Sequence, residues 1–239
     1  MSETKQIERR KIVVMATFPP RKQSMLSRVK DLSPQCDELL IWLNEYNEIP
    51  VELREYKNVK CTLSKNINLK SGGKLMFIDE YKSDYYIPVD DDIVYPASYV
   101  HDQITNLDNY GQNVIVCRYG EFVKTQKNNI VQFHYAQRLE NDTQCHVVGT
   151  GTVCFIPEKI GFKQPTIDEL KDKSTDYLLS RFASENNIRC ICLKRNANYL
   201  KDAIEGNTNF TTIGALHLCK EFGAQKTRDV ESYSGWKNI

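Results

Sequence analysis

Apolar residues in this 239-residue chain come in short blocks. Lys11-Ile-Val-Val-Met-Ala-Thr17 is rich in β-branched residues and is closed by Pro19-Pro20, the pattern of a buried strand. Ser24 to Leu32 carries Met25, Leu26, Val29 and Leu32 at helical spacing, which predicts an amphipathic helix. Leu39-Leu-Ile-Trp-Leu43 and Val59 to Leu63 read as a second and a third strand. Ser71-Gly-Gly-Lys74 is expected to open another helix, running through Leu75, Met76, Ile78 and Tyr81. Tyr85-Tyr-Ile-Pro-Val89 is a fourth strand, and it runs directly into Asp90-Asp-Asp92.

The second half is less regular. Val114 to Cys117, Ile130 to Phe133, Val153 to Ile156 and Arg189 to Leu193 predict shorter strands of mixed direction. Thr175 to Asn186 predicts a helix capped by Ser174 or Thr175. Strands alternating with helices imply an α/β fold with a mainly parallel central sheet and a mixed C-terminal part. Such sheets bind ligands beyond the carboxyl ends of their strands. Here those ends carry Thr17 to Arg21, Asn44-Glu45 and Asp90 to Asp92. The length suits one domain. Within it, 11–100 is the expected nucleotide-binding half, 101–204 the acceptor-side half, and 205–239 a tail or lid.

Composition narrows the function classes. A formal charge of +1 lacks the basic excess of a nucleic-acid binder. No run of about 18 apolar residues predicts a transmembrane segment. The polar start, Met1 to Lys11, offers no signal peptide, so a cytoplasmic protein is expected, with association at the inner face of a membrane left open. The eight cysteines form no CxxC pair and no zinc-type spacing with histidine. They read as small apolar residues of a reduced interior.

Three consecutive carboxylates at a strand end repel one another, by about 4 kcal/mol per pair at 4 Å and an effective dielectric of 20. A divalent cation, Mn²⁺ or Mg²⁺, removes that penalty, because it takes hard oxygen ligands from one or two carboxylates and from phosphates. In extended chain Asp90 and Asp92 point one way and Asp91 the other. The competing reading is a solvated acidic turn. Arg21 and Lys74 could complement a diphosphate, Lys74 from the first turn of a glycine-introduced helix; either could equally be surface charge. Gly149-Thr150-Gly151 permits close approach of backbone to a ligand, or is simply a tight turn. Asp176, in the first turn of its helix, is a second acidic candidate for base work or hydroxyl binding, with capping as the alternative. His134, His146 and His217 lack ligand spacing, and only His217 is a candidate further metal ligand.

In fixed order, the chain shows Phe18-Pro-Pro-Arg-Lys22, Leu43-Asn-Glu45 with Glu48-Ile-Pro50, Gly73-Lys74, Asp90-Asp-Asp-Ile93 with Tyr95-Pro96 and Tyr99-Val100, and Gly149-Thr-Gly-Thr-Val153. This set resembles the bacterial α-N-acetylglucosaminyltransferases that build heparosan-type capsule, over about residues 11–201. The resemblance implies a GT-A (Rossmann-like nucleotide-sugar-binding) fold and a UDP-sugar donor, UDP-GlcNAc among them. It further implies metal-dependent, retaining transfer to a glycan acceptor, and work beside a second transferase of a polysaccharide-synthesis complex. It places Arg21 and Lys74 near the nucleotide or diphosphate, and Asp90 and Asp91 on ribose and sugar; Thr17, Pro19 and Asn44, at the strand ends, are candidate donor-binding residues beside them. Asp92, with Asp90, would hold the metal, and Asp176 would lie near the acceptor. Two other readings stand beside it: a sugar-nucleotide nucleotidyltransferase, and a non-catalytic partner subunit. The first usually shows a glycine- and lysine-rich N-terminal signature, which Thr17-Phe-Pro-Pro-Arg21 is not.

Overall fold

The structure, a computed structural model, describes residues 8–124, 129–203 and 228–236. Four strands, β1 (Lys11–Thr17), β2 (Glu38–Leu43), β3 (Val59–Leu63) and β4 (Tyr85–Val89), pair in parallel in the order β3-β2-β1-β4. The later strands are β5 (Ile93–Val94), β6 (Val114–Cys117), β7 (Gly120–Lys124), β8 (Asn129–Phe133), β9 (Thr143–Cys145), β10 (Val147–Val148), β11 (Val153–Cys154), β12 (Arg189–Cys192) and β13 (Lys201–Asp202). A mixed sheet runs β11-β6-β12-β9, and a smaller antiparallel one β10-β7-β8. Antiparallel bridges from Tyr86 to Phe155 and from Val89 to Thr152 join β4 to the β11 segment, so the parallel and mixed sheets are continuous. The fold is α/β with a parallel centre, as the alternation of apolar blocks predicts.

Both faces of the centre are covered, which is why its strands are almost wholly apolar. Val13, Met15, Leu39, Ile41, Ile87 and Val89 face one core, against Met25, Val29 and Leu32 of α1 (Lys22–Leu32) and Tyr99, Val100 and Leu107 of α2 (Tyr99–Asn109). Ile12, Val14, Leu40, Trp42 and Tyr86 face the other. There they meet Leu69, Leu75, Ile78 and Tyr81. Beyond these the chain forms α3 (Pro157–Ile160), α4 (Ile167–Asp172) and α5 (Thr175–Glu185), and Leu170, Leu179 and Ala183 pack into the second core. Ser174 caps α5, its Oγ accepting from the Tyr177 N–H at 3.2 Å. The seven described cysteines are unpaired thiols, and Cys190 and Cys192 both face the second core.

One expected element is different. In place of a helix from Ser71 to Tyr81, Lys70–Leu75 is a 3-10 turn followed by a series of turns. Lys70 enters it with φ of 54°. A Cβ on Gly73 would lie 2.2 Å from Trp42 Cδ1, so the turn is pressed flat against the β2 side chain. That tertiary contact, with two glycines of low helix propensity, overrides the apolar spacing. Of the predicted tail, 205–227 and 237–239 lie outside the described residues. Residues 228–236 pack through Val230, Tyr233 and Trp236 against Tyr177 of α5 and Val147 of β10.

Candidate active site

A cleft of about 400 Å³ opens along the edge of the continuous sheet where the parallel strands end. Its lining follows the strand order. Asn44 and Glu45 come from the end of β2, Ala16 and Thr17 from β1, and Asp90 to Asp92 from β4. Gly149 to Thr152 stand before β11, and Tyr119 follows β6. From β2 to β6 there are four inter-strand spacings, roughly 19 Å.

The acidic run is not a solvated turn. Asp91 is 2% exposed; its Oδ2 accepts from Thr17 Oγ1 at 2.7 Å and its Oδ1 from Arg21 Nη1 at 2.7 Å. Arg21 Nη1 also lies 3.0 Å from Asp92 Oδ2. Lys74 Nζ, buried, is 2.6 Å from Asp90 Oδ1. The backbone of the run is held as well: Ser24 Oγ donates to the Asp91 carbonyl, and the Asp90 N–H donates to Tyr95 Oη at 2.8 Å. Tyr95 Oη in turn donates to the Gly151 carbonyl at 2.7 Å. Asp90 and Asp92 each keep about a third of their side chain exposed, at 36% and 34%. The arrangement buries one carboxylate beneath two that reach the cleft.

In their mutual contacts, three carboxylates face two cations, Arg21 and Lys74, so the cluster is one positive charge short of neutral. Burial, the largest effect, raises the Asp91 and Asp92 carboxyls, and Asp90 adds to it, while Arg21 opposes it; Asp92 is pushed up to about 6. Oxygen donors with uncompensated charge fit a hard divalent cation. Among the described residues no three His, Cys, Asp or Glu side chains converge on one point. A cation here would therefore have Asp90 and Asp92 as its side-chain ligands and complete its shell with water or phosphate oxygens, the usual habit of Mg²⁺.

A raised carboxyl pKa means that the folded protein binds the proton more tightly than the unfolded chain. This costs stability increasingly as pH rises from about 4 to about 6, the window in which Asp92 ionises only in the unfolded state. A divalent cation competes for the same oxygens. The rise in melting temperature on adding Mn²⁺ is therefore expected to be small at pH 5 and to grow through pH 6. Thermal scans across that range check it, and a cation effect independent of pH would refute it.

The remaining predicted residues divide. Thr150 donates through both its N–H and its Oγ1 to Asp176 Oδ1, each at 2.7 Å, so the glycine-flanked turn and the start of α5 meet at the cleft. Gly151 is required there: a Cβ would lie 1.8 Å from Asp90 Oδ2. The ring of Tyr119 would be 2.8 Å from a Cβ on Gly149. Lys74 is at the cleft, but in the 3-10 turn and paired with Asp90 instead of heading a helix. Pro19 is exposed and does not line the cleft, because the 3-10 turn Pro19–Arg21 turns it outward and presents Phe18 and Arg21. Asn44 lines the cleft but is fully bonded within the protein. Its Oδ1 accepts from Trp42 Nε1 at 3.1 Å and the Leu69 N–H at 3.0 Å, and its Nδ2 donates to the Thr17 and Lys70 carbonyls at 3.3 and 2.9 Å. It fastens strand ends together. His217 lies outside the described residues. His134 and His146 each accept a backbone N–H through Nδ1, from Ala136 at 3.3 Å and Val123 at 2.9 Å.

Sequence reasoning missed Tyr119, Tyr135, Ser71 and Thr175, which also line the cleft. Thr175 was accessible as a capping candidate. The two tyrosines stand in irregular segments with no pattern to mark them.

No family model and no curated sequence is similar to the chain. Among solved structures it is similar to the apo form of a UDP-glucose pyrophosphorylase, with a TM-score of 0.49 and 7% identity over 81% of this chain and 93% of the other. A likeness that remote is too distant to assign chemistry. No helix of the described residues is long and apolar enough to cross a membrane.

Proposed function

We propose that the chain is a metal-dependent glycosyltransferase of the GT-A type, which moves a sugar, N-acetylglucosamine among the candidates, from a UDP-sugar to a saccharide acceptor with retention. One observation carries this reading: Asp90 and Asp92 reach a cleft at the carboxyl edge of a parallel sheet, above a buried Asp91 that fixes their backbone. A bound Mn²⁺ or Mg²⁺ supplies Lewis-acid neutralisation of the departing diphosphate. Asp90 and Asp92 are its ligands in this account. Lys74 and Arg21 stand beside them to exchange a carboxylate partner for a phosphate oxygen. Asp176, anchored on Thr150, accepts a sugar hydroxyl. A second transferase as working partner is part of the same proposal, from the resemblance alone.

Nucleotidyl transfer is less well served by this site. A triphosphate cradle after the first strand needs backbone N–H donors, and here that connection contains Pro19 and Pro20, which have none. Calorimetry with UDP is the direct test. Binding is expected to strengthen at least about tenfold when Mn²⁺ is present, and a panel of UDP-sugars should release UDP. Pyrophosphate formation from UTP and a sugar phosphate, or UDP binding indifferent to Mn²⁺, would overturn the proposal.

A further inference from the structure

The two ends of the cleft differ in chemistry. On the β2–β1 side the lining is mainly polar, with Asn44, Glu45 and Asn68 beside Phe18. On the β11–β6 side stands Tyr119; Tyr135, whose hydroxyl bonds to Asp202 opposite Ile93, has its centroid 6.4 Å from that of Tyr119 and its plane inclined to it by 54°. Behind Tyr135 lies His134, its ring centroid 4.2 Å away and tilted by 32°. Both tyrosines are only partly buried. Their hydroxyls are tied to carboxylates: Tyr119 Oη donates to Glu121 Oε1 at 2.5 Å, and Tyr135 Oη donates to Asp202. Tethered at the far end and backed by a third ring, the rings are held in place before any ligand arrives, so little conformational freedom is lost on binding. Burial first, then Asp202, keeps the Tyr135 phenol protonated; Asp92 and Asp90 push the same way, which sets this ring within the field of the acidic run.

A ligand suited to this end needs an apolar face for the rings and a polar rim for Asp176 and Thr150. A pyranose ring has both. Its axial C–H bonds present a weakly positive face to the negative face of an aromatic ring, and its hydroxyls donate to carboxylates. We infer that Tyr135, backed by His134, is a stacking platform for a pyranose ring of the acceptor saccharide, with the inclined ring of Tyr119 as a second apolar wall. The inference rests on the transferase reading for its assignment to acceptor rather than donor. A nucleobase is the rival occupant; it is disfavoured because Tyr119 packs against Gly149, next to Thr150 and its bond to Asp176, at the other end of the cleft from Asn44 and Asn68.

The test uses the full chain and separates the two readings. Saturation-transfer NMR with methyl β-D-glucopyranoside and methyl β-D-glucuronide is recorded with and without UDP and Mg²⁺, and UDP affinity is measured in parallel. In the native protein, saturation is expected to fall on one C–H face of the sugar. The signal should drop at least fivefold in Tyr135→Leu and persist in Tyr135→Phe, which keeps the ring and loses only the tether to Asp202. UDP affinity should stay within twofold in both variants, and their melting temperatures report that each is folded. Equal sugar signals in Tyr135→Leu and the native protein would overturn the platform. So would a loss of UDP affinity in Tyr135→Leu, which would assign the ring to the nucleotide. Ring-dependent sugar binding without any UDP binding would uphold the platform and remove the transferase reading.

Discussion

Asp92→Asn is expected to lower the Mn²⁺-supported affinity for UDP by at least about 100-fold, since even residues that only orient metal ligands cost 10–100-fold when replaced, while leaving the protein as stable as before or more so. The two effects have one origin. In the cation-free protein Asp92 is a charge that the fold disfavours: burial and its carboxylate neighbours raise it to about 6, against the opposing pull of Arg21 and Lys74. Asparagine keeps the shape and removes the charge. At pH 8, with metal chelated, the variant should melt at or above the native temperature, and the gap should close as pH falls toward 4, where the native carboxylate is protonated as well. Calorimetry with UDP and Mn²⁺ supplies the functional half. A variant that binds UDP and Mn²⁺ like the native protein would end the metal assignment, and one that melts well below it at pH 8 would show Asp92 to be a structural carboxylate.

The largest loss of stability is expected from Gly73→Ala. A methyl group there would stand 2.2 Å from Trp42 Cδ1 and 2.3 Å from Cγ, atoms of a rigid ring that cannot fold aside. The ring is also fixed by its hydrogen bond to Asn44 and its edge contact with Phe77, centroids 6.3 Å apart. Overpacking of this kind costs about 3 kcal/mol, which for a chain of this size lowers the melting temperature by roughly 6–12 °C. Because Lys74 is the next residue, its pairing with Asp90 should loosen too, so UDP binding is expected to weaken along with the fold. A melting temperature within about 2 °C of native would show that the 3-10 turn can lift off β2 freely.

The parts of the fold most legible in the sequence are the strands that coincide with short apolar blocks. Lys11–Thr17, Val59–Leu63, Tyr85–Val89 and Val114–Cys117 have the bounds that their apolar blocks predict. The acidic run was legible because it follows such a block without a break. The antiparallel β7 and β9 were not, since Gly120–Lys124 and Thr143–Cys145 carry charged and polar residues and owe their pairing to partners distant in the chain. The segment from Ser71 failed for the same kind of reason: its spacing is helical, but Trp42 decides its path. In the site, residue type pointed to Asp90, Arg21, Lys74 and Asp176, all of which line the cleft, whereas Pro19, equally near a strand end in sequence, does not. Asn44 bonds to its own protein with all its capacity, and Pro19 is turned to solvent.

The end-to-end order of the cleft gives the protein a ruler. Hydrogen bonding fixes the gap between neighbouring strands at about 4.8 Å, so the distance from the Asn44 end through Asp90 to the Tyr119 end cannot be retuned by exchanging side chains. Substitutions at the rim can alter which groups are welcomed at each mark on that scale. The length of the molecule admitted belongs to the backbone.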